Sequence, residues 1–416
     1  MKINDRIIQG LALLMLATLN AQLSTAFAQT YNIVDLGTLP GDSSSSAYGI
    51  NTNGQVVGQS NPSGHAFLYS GGVMTDLSTP PGGIMNYSAL AINNNGQVTG
   101  TGHNSHPYLY SGGVWTDLGY PPGCSMAQLG GGINEINDNG QIVATTWNGS
   151  SSYHACLNSG GVWTDLGTIG TWCFALGINN SGQIFGYYGT GDPNYPIHAF
   201  LYSNGVWTGL GTLPGDDSSY ANGINNNGQV VGMSMVSGGN SHAFLYSSGV
   251  MTDLGTLPGG SSSVAFGINN KGQILGGSTT AASGPWEPFL YSAGTMKDMN
   301  NLIPTNSGWT SLGVSGINDQ GQIVGSGINP SGQSHGFLLT PNVVSTTNII
   351  TNINMYAGLT LSGQIGSTYE IDYCNNLGTA NWTPLTTFVM SNSPCLYFDT
   401  NSCWSSQRFY RAVLVP

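Results

Sequence analysis

The string Ile-Asn-x-x-Gly-Gln-(Val/Ile) occurs seven times, starting at Ile50, Ile92, Ile136, Ile178, Ile224, Ile268 and Ile317, at spacings of 42, 44, 42, 46, 44 and 49 residues. A second string, His-Ala-Phe-Leu-Tyr-Ser in its fullest form, starts at His65, His106, His154, His198, His242, Glu287 and His335. A third, Gly-Val-(Met/Trp)-Thr-Asp-Leu-Gly, places its Asp or equivalent at Asp76, Asp117, Asp165, Gly209, Asp253 and Asp298, with a seventh echo at Asp35. A unit this short cannot bury a core alone and must stack on copies of itself. Its period of about 43 residues is that of a propeller blade.

Each unit reads as four short strands. In the first copy they are expected at Ala47 to Asn51, Gln55 to Gln59, His65 to Ser70 and Val73 to Leu77, with Asn53-Gly54 and Gly71-Gly72 as hairpin turns. Both faces of these strands carry apolar bulk, as in a sheet packed between two neighbours. The seventh copy stops after Gly336-Phe337-Leu338-Leu339 without its fourth strand, whereas Tyr31 to Leu36 is such a strand with no unit before it. One deficit cancels the other. The expected fold is therefore all-β, a seven-bladed β-propeller over residues 29–341, closed by pairing the N-terminal strand as the outer strand of the last blade.

At these strings, and above all at Asp253-Leu-Gly-Thr-Leu-Pro-Gly-Gly260 and Gly223-Ile-Asn-Asn-Asn-Gly-Gln229, the chain resembles the bacterial extracellular HAF repeat proteins. The resemblance implies an exported repeat protein and no catalytic residues. Residues 342–355 read as a Thr/Asn/Ile linker. Beyond them, residues 356–416 alternate as β-strands at Leu359 to Leu361, Tyr369 to Tyr373, Leu385 to Val389, Leu396 to Phe398 and Phe409 to Leu414. Tyr369-Glu370-Ile371-Asp372-Tyr373, Asn381-Trp382-Thr383 and Gln407-Arg408-Phe409-Tyr410-Arg411-Ala412 resemble the small fibronectin-type-III-like β-sandwich modules of secreted bacterial proteins.

Export is also expected from residues 1–28. Lys2 and Arg6 precede an apolar run from Ile7 to Leu19, too short to span a bilayer, and Ala26-Phe27-Ala28 matches a signal-peptidase site. Only 6% of the residues are charged, with a formal charge of −12 and no cluster of Lys or Arg. Binding to nucleic acid or anionic lipid is excluded on that ground, and no later run is apolar enough to span a membrane. In an oxidising compartment the six cysteines could pair. Cys395 and Cys403, which flank the expected turn Thr400-Asn401-Ser402, are the disulfide candidate, with Cys374 as competitor. Cys156 stands where the repeat has Phe and is expected to pack as a small apolar substitute.

The repeated His and Asp recur in nearly every copy, and a catalytic site needs one constellation only. They are expected to bond their neighbours, the Asp through an Asx-type turn. Most of the Asn-rich turns lack the carboxylates a calcium loop needs, and no motif calls for a metal or cofactor. Trp115, Trp163 and Trp207 fill a position occupied elsewhere by Met and are expected in the core. The first and third connections of each blade have constant lengths, whereas the second and the blade-to-blade connections vary, and the variable pair emerges on one face. Trp147, Trp172, Trp286, Trp309, Tyr153, Tyr187, Tyr188 and Tyr195 fall in those variable connections beside Asp216, Asp217 and Glu287, as candidate ligand-binding residues. The expected function is thus a secreted, non-catalytic protein that binds carbohydrate or another extracellular partner. An extracellular hydrolase or lyase is the alternative, drawing on Asp192, Asp216, Asp217, Glu135 and Glu287 with His103 as base.

Overall fold

The computed structural model describes residues 30–77, 88–101, 107–120, 126–128, 136–147, 152–191, 196–236, 238–282, 284–342, 357–376, 378, 381–399 and 408–415. These fall in two compact units that divide between Asn342 and Val343. The expected signal peptide, the expected linker apart from Asn342, Tyr195, Asp192, Glu135, His103 and Cys403 lie outside the described residues.

The motif Ile-Asn-x-x-Gly-Gln is a turn whose residue types each have a mechanical reason. In the first blade, the Asn51 side-chain oxygen accepts from the amides of Asn53 and Gln55, both at 3.0 Å. Gly54 adopts φ +73°, a left-handed conformation that glycine takes without a Cβ penalty. The Gln55 side-chain oxygen takes a hydrogen from Asn51 Nδ2 at 2.8 Å. This turn joins the inner strand Ser44–Ile50 to Val56–Asn61; His65–Ser70 and Val73–Asp76 follow outward in simple up-and-down order. The inner strand begins three residues earlier than expected. It also bulges between Ala47 and Gly49. Opposite the bulge, a Cβ on Gly58 would lie 2.0 Å from the Ser46 carbonyl oxygen, so the second strand needs glycine there.

Seven four-stranded antiparallel sheets repeat this plan. The seventh is built from Thr310–Ile317, Ile323–Ile328 and Ser334–Pro341, with Tyr31–Asp35 as its outer strand in the register Tyr31 to Pro341 and Asp35 to Phe337. The chain is a seven-bladed β-propeller closed by its N-terminal strand, as the repeat count required. The Phe of His-Ala-Phe is fully buried in five blades, at Phe67, Phe200, Phe244, Phe289 and Phe337. Cys156 is buried at that position in the third blade, its sulfur 3.2 Å from the Thr146 hydroxyl. Trp115 and Trp163 are core residues, and each indole donates to the preceding blade, to the carbonyls of Leu77 at 2.6 Å and Leu118 at 2.8 Å. Trp207 packs against the core beneath Phe200.

The second unit has a two-stranded sheet, Ala357–Leu361 with Cys395–Asp399, and a three-stranded sheet of Thr383–Val389, Thr368–Cys374 and Phe409–Leu414. Asp399, fully buried, accepts from Arg408 and from the Tyr410 hydroxyl, tying the two sheets together. Arg411 pairs with Asp372 at 2.8 Å and lies 4.6 Å from the Trp382 ring centroid. Cys374 and Cys395 are free thiols here.

Candidate functional site

On the face of constant turns, the seven Asn side chains form a continuous ring about the axis. Each Nδ2 donates to its own Gln and to the backbone carbonyl of the next blade's Asn, from Asn51 to Asn93 at 3.0 Å round to Asn318 back to Asn51 at 2.9 Å. Each Oδ1 takes two amides of its own turn. The amide's bonding capacity is spent on closing the ring. Above it Thr52, Asn94, Asp138, Asn180, Asn226, Asn270 and Asp319 edge a polar depression of about 110 Å³ and are themselves laced together, as in Asn94 to Asp138 at 2.8 Å and Asn270 to Asp319 at 2.7 Å. These bonds tie the seven turns of this face into one ring.

The opposite face carries the variable connections and the repeated His-Asp pairs. His65, His154 and His242 meet Asp76, Asp165 and Asp253 at 2.8–2.9 Å, and His335 meets Asp35 of the closing strand at 2.8 Å. Asp35, Asp117, Asp165 and Asp253 also accept the amide of the glycine two residues on, at 2.7–2.8 Å, which is the expected Asx-type turn. Burial opposes ionisation of Asp35, but hydrogen bonds from Asn329, the Gly37 amide and His335 outweigh it, and its pKa lies below the ordinary carboxylate value.

Two departures from the pair explain residues assigned above to ligand binding. Glu287, in place of His, accepts from Asn300 Nδ2 at 2.8 Å, so its carboxylate is engaged within its own blade. In the fourth blade Gly209 replaces Asp, and a Cβ there would lie 2.7 Å from the Tyr188 hydroxyl oxygen. Tyr188 occupies the place of the missing carboxylate and packs edge-on to His198, its ring against the core. It is a strand residue of Ile184–Gly189, not a loop residue. Trp309 is likewise an anchor: it packs edge-on to fully buried Phe337 at 5.8 Å and against the core of the seventh blade.

The remaining rings converge. Trp147 ends Ile142–Trp147, Tyr153 starts Tyr153–Ser159, Trp172 starts Trp172–Ile178, and Tyr187 lies in Ile184–Gly189. They stand on strands rather than within the variable connections, the first three at strand ends and Tyr187 inside its strand. Trp147 meets Tyr153 at 4.9 Å between centroids, Tyr153 meets Phe174 at 4.8 Å, Phe174 stacks on Tyr187 at 5.4 Å, and Tyr187 meets Tyr220 at 5.2 Å. Trp172 joins edge-on to Phe174 and Tyr187 and lies over Gly189, where a Cβ would strike the indole. The result is a strip of six half-buried rings crossing blades three, four and five. Phe174 and Tyr220 went unnoticed in the sequence because they sit at a repeat position; the signal was that Ser46 and Ser88 fill it elsewhere.

Trp286, 52% exposed, stands apart in the sixth blade, where it shares the space above Gly277 with Phe266, 38% exposed. Asp216 and Asp217 follow the turn that closes from Leu213, and Asp217 is exposed. Burial and the Asp217 carboxylate both raise the Tyr220 hydroxyl pKa, which places that charge at one end of the strip. Among the described residues, no group of three or more His, Cys, Asp or Glu is arranged to hold a metal, and no helix is long and apolar enough to cross a membrane.

The chain is therefore a closed seven-bladed β-propeller with one face of uniform hydrogen-bonded turns and one face of variable connections. No protein-family model matches the chain, and neither does any curated protein. Among solved structures, the chain is similar to a streptogramin B lyase, at a TM-score of 0.49 and 14% identity over 75% of this chain and 98% of that one. It is similar to virginiamycin B lyase from Staphylococcus aureus, at 0.47 and 14% over 74% and 99%. A third likeness is to the β-propeller domain of the Trilobed protease from Pyrococcus furiosus, at 0.46 and 8% over 76% and 100%. At identities this low the chemistry of those proteins does not carry over to this chain.

Proposed function

We propose that the protein is a secreted, non-catalytic binding protein that holds an extracellular glycan on the variable-connection face of its propeller. The observation that carries this reading is the strip of Trp147, Tyr153, Trp172, Phe174, Tyr187 and Tyr220: six contacting rings, each half-buried, all carried on strands of the blades. Rings fixed by one another lose little entropy on binding, and their exposed faces and edges suit the C–H faces of pyranose rings. The leader-like residues 1–28 and the resemblance to HAF repeat proteins support export.

The test is a glycan array probed with the mature chain, run beside a screen for polysaccharide hydrolase and lyase turnover. Binding that Trp172→Ala abolishes supports the reading. Turnover that disappears in Asp216→Asn would replace it with an enzyme.

A further inference from the structure

The charge around the strip separates the glycans it can take. Residues 29–341 hold fourteen Asp or Glu against two cations besides His, Lys271 and Lys297, and both lysines belong to the sixth blade. Lys271 sits in the Asn269–Gly272 turn, on the face of uniform turns. Blades one to five and seven carry neither Lys nor Arg.

Acids, in contrast, gather on the strip's own face, because the outer strands run toward it and six of the seven carry Asp near that end, the fourth blade having Gly209 instead. The side chains of Asp35, Asp76, Asp165 and Asp253 are 36, 35, 48 and 45% exposed. Asp217 is exposed three residues before Tyr220 and acts electrostatically on its hydroxyl. The faces of the aromatic rings add a negative quadrupole to the same surface. A carboxylate or sulfate brought onto the strip would lose water, meet neither Lys nor Arg in blades three to five, and lie beside carboxylates of its own sign.

We infer that the strip selects uncharged glycan chains and rejects uronate-containing or sulfated ones. This rests on the glycan-binding reading above, which it narrows by ligand class. A glycan that satisfies it offers hydroxyls and C–H faces only.

The experiment compares ligands with one backbone and different charge. Oligogalacturonate is assayed as the free acid and as its methyl ester, with cellohexaose as a second neutral probe, by titration calorimetry on the mature full-length chain and on Trp172→Ala and Asp217→Lys. The expected result is at least tenfold tighter binding of the neutral member, lost in Trp172→Ala, with Asp217→Lys recovering affinity for the acid. Equal or tighter binding of the acid, still dependent on Trp172, overturns the charge rule and leaves the glycan site standing. If no probe binds, or Trp172→Ala changes nothing, the glycan site itself falls and the charge rule with it. Circular dichroism of each variant distinguishes loss of the site from loss of the fold.

Discussion

Asn318 Nδ2 donates to the Asn51 carbonyl oxygen at 2.9 Å, a bond between residues 267 positions apart that completes the axial ring begun by six identical contacts between consecutive blades. Sequence distance makes no difference to its geometry. Asn318→Ala should therefore cost the same as Asn179→Ala, about 2–4 kcal/mol, since each breaks four hydrogen bonds, two donated by Nδ2 and two accepted by Oδ1. Urea denaturation of both variants checks this. A loss under about 0.5 kcal/mol in either would mean that the ring contributes nothing measurable.

Closure also depends on pH through Asp35. Its folded pKa lies below the unfolded value of about 3.9. The bonds that depress it thus stabilise the protein fully above the unfolded value, and that contribution is lost as pH falls through the folded one. Asp35→Asn should be less stable than the natural chain at neutral pH, and the gap in melting temperature should narrow on acidification. A gap independent of pH would show that the carboxylate's ionisation plays no part.

Tyr188 and Gly209 form a compensated pair that can be reversed. Other blades have Ser opposite the repeated His or Glu, at Ser60, Ser234 and Ser278, with Asp on the outer strand. Gly209→Asp alone should destabilise by about 1–3 kcal/mol by colliding with the Tyr188 hydroxyl. Combined with Tyr188→Ser it should recover most of that loss by restoring a His198–Asp pair. Additive effects of the two changes in a double-mutant cycle would rule out the compensation.

Tryptophans in the strip and in the core should separate by phenotype. Trp163, 9% exposed with its indole bonded to Leu118, should cost about 3–5 kcal/mol when changed to alanine. Trp172, half-buried over Gly189, should cost about 1–2 kcal/mol and weaken glycan binding at least tenfold. Equal loss of stability from both, with binding intact in Trp172→Ala, would make Trp172 a structural anchor like Trp309.

The blade count and the closing strand were legible because they depend on arithmetic along the chain: a strand missing after Leu339 and one in excess at Tyr31. The Asn-Gly turn was legible too, since its bonds are local. Its larger role was not, because Asn51 Nδ2 bonds the backbone of another blade, and a backbone acceptor leaves no trace in residue identity. Repeat position misled in both directions at the site. It hid Phe174 and Tyr220, which occupy a position filled by serine in the first two copies. It also marked Trp309 and Tyr188 as unique when their task is to fill Phe337's flank and a missing carboxylate's space.

The hydrogen bond from the Asn342 amide to the Thr30 carbonyl, at 2.8 Å, puts the two ends of the propeller side by side. The propeller's own first strand is therefore the last that can be seated, because its partner Ser334–Pro341 does not exist until the whole ring has been made. In that interval the chain holds an unmatched strand at one end and a matching vacant edge at the other. A second molecule in the same condition offers the same two halves in complementary form, so crowded refolding should yield strand-exchanged dimers and chains, while dilute refolding yields single rings.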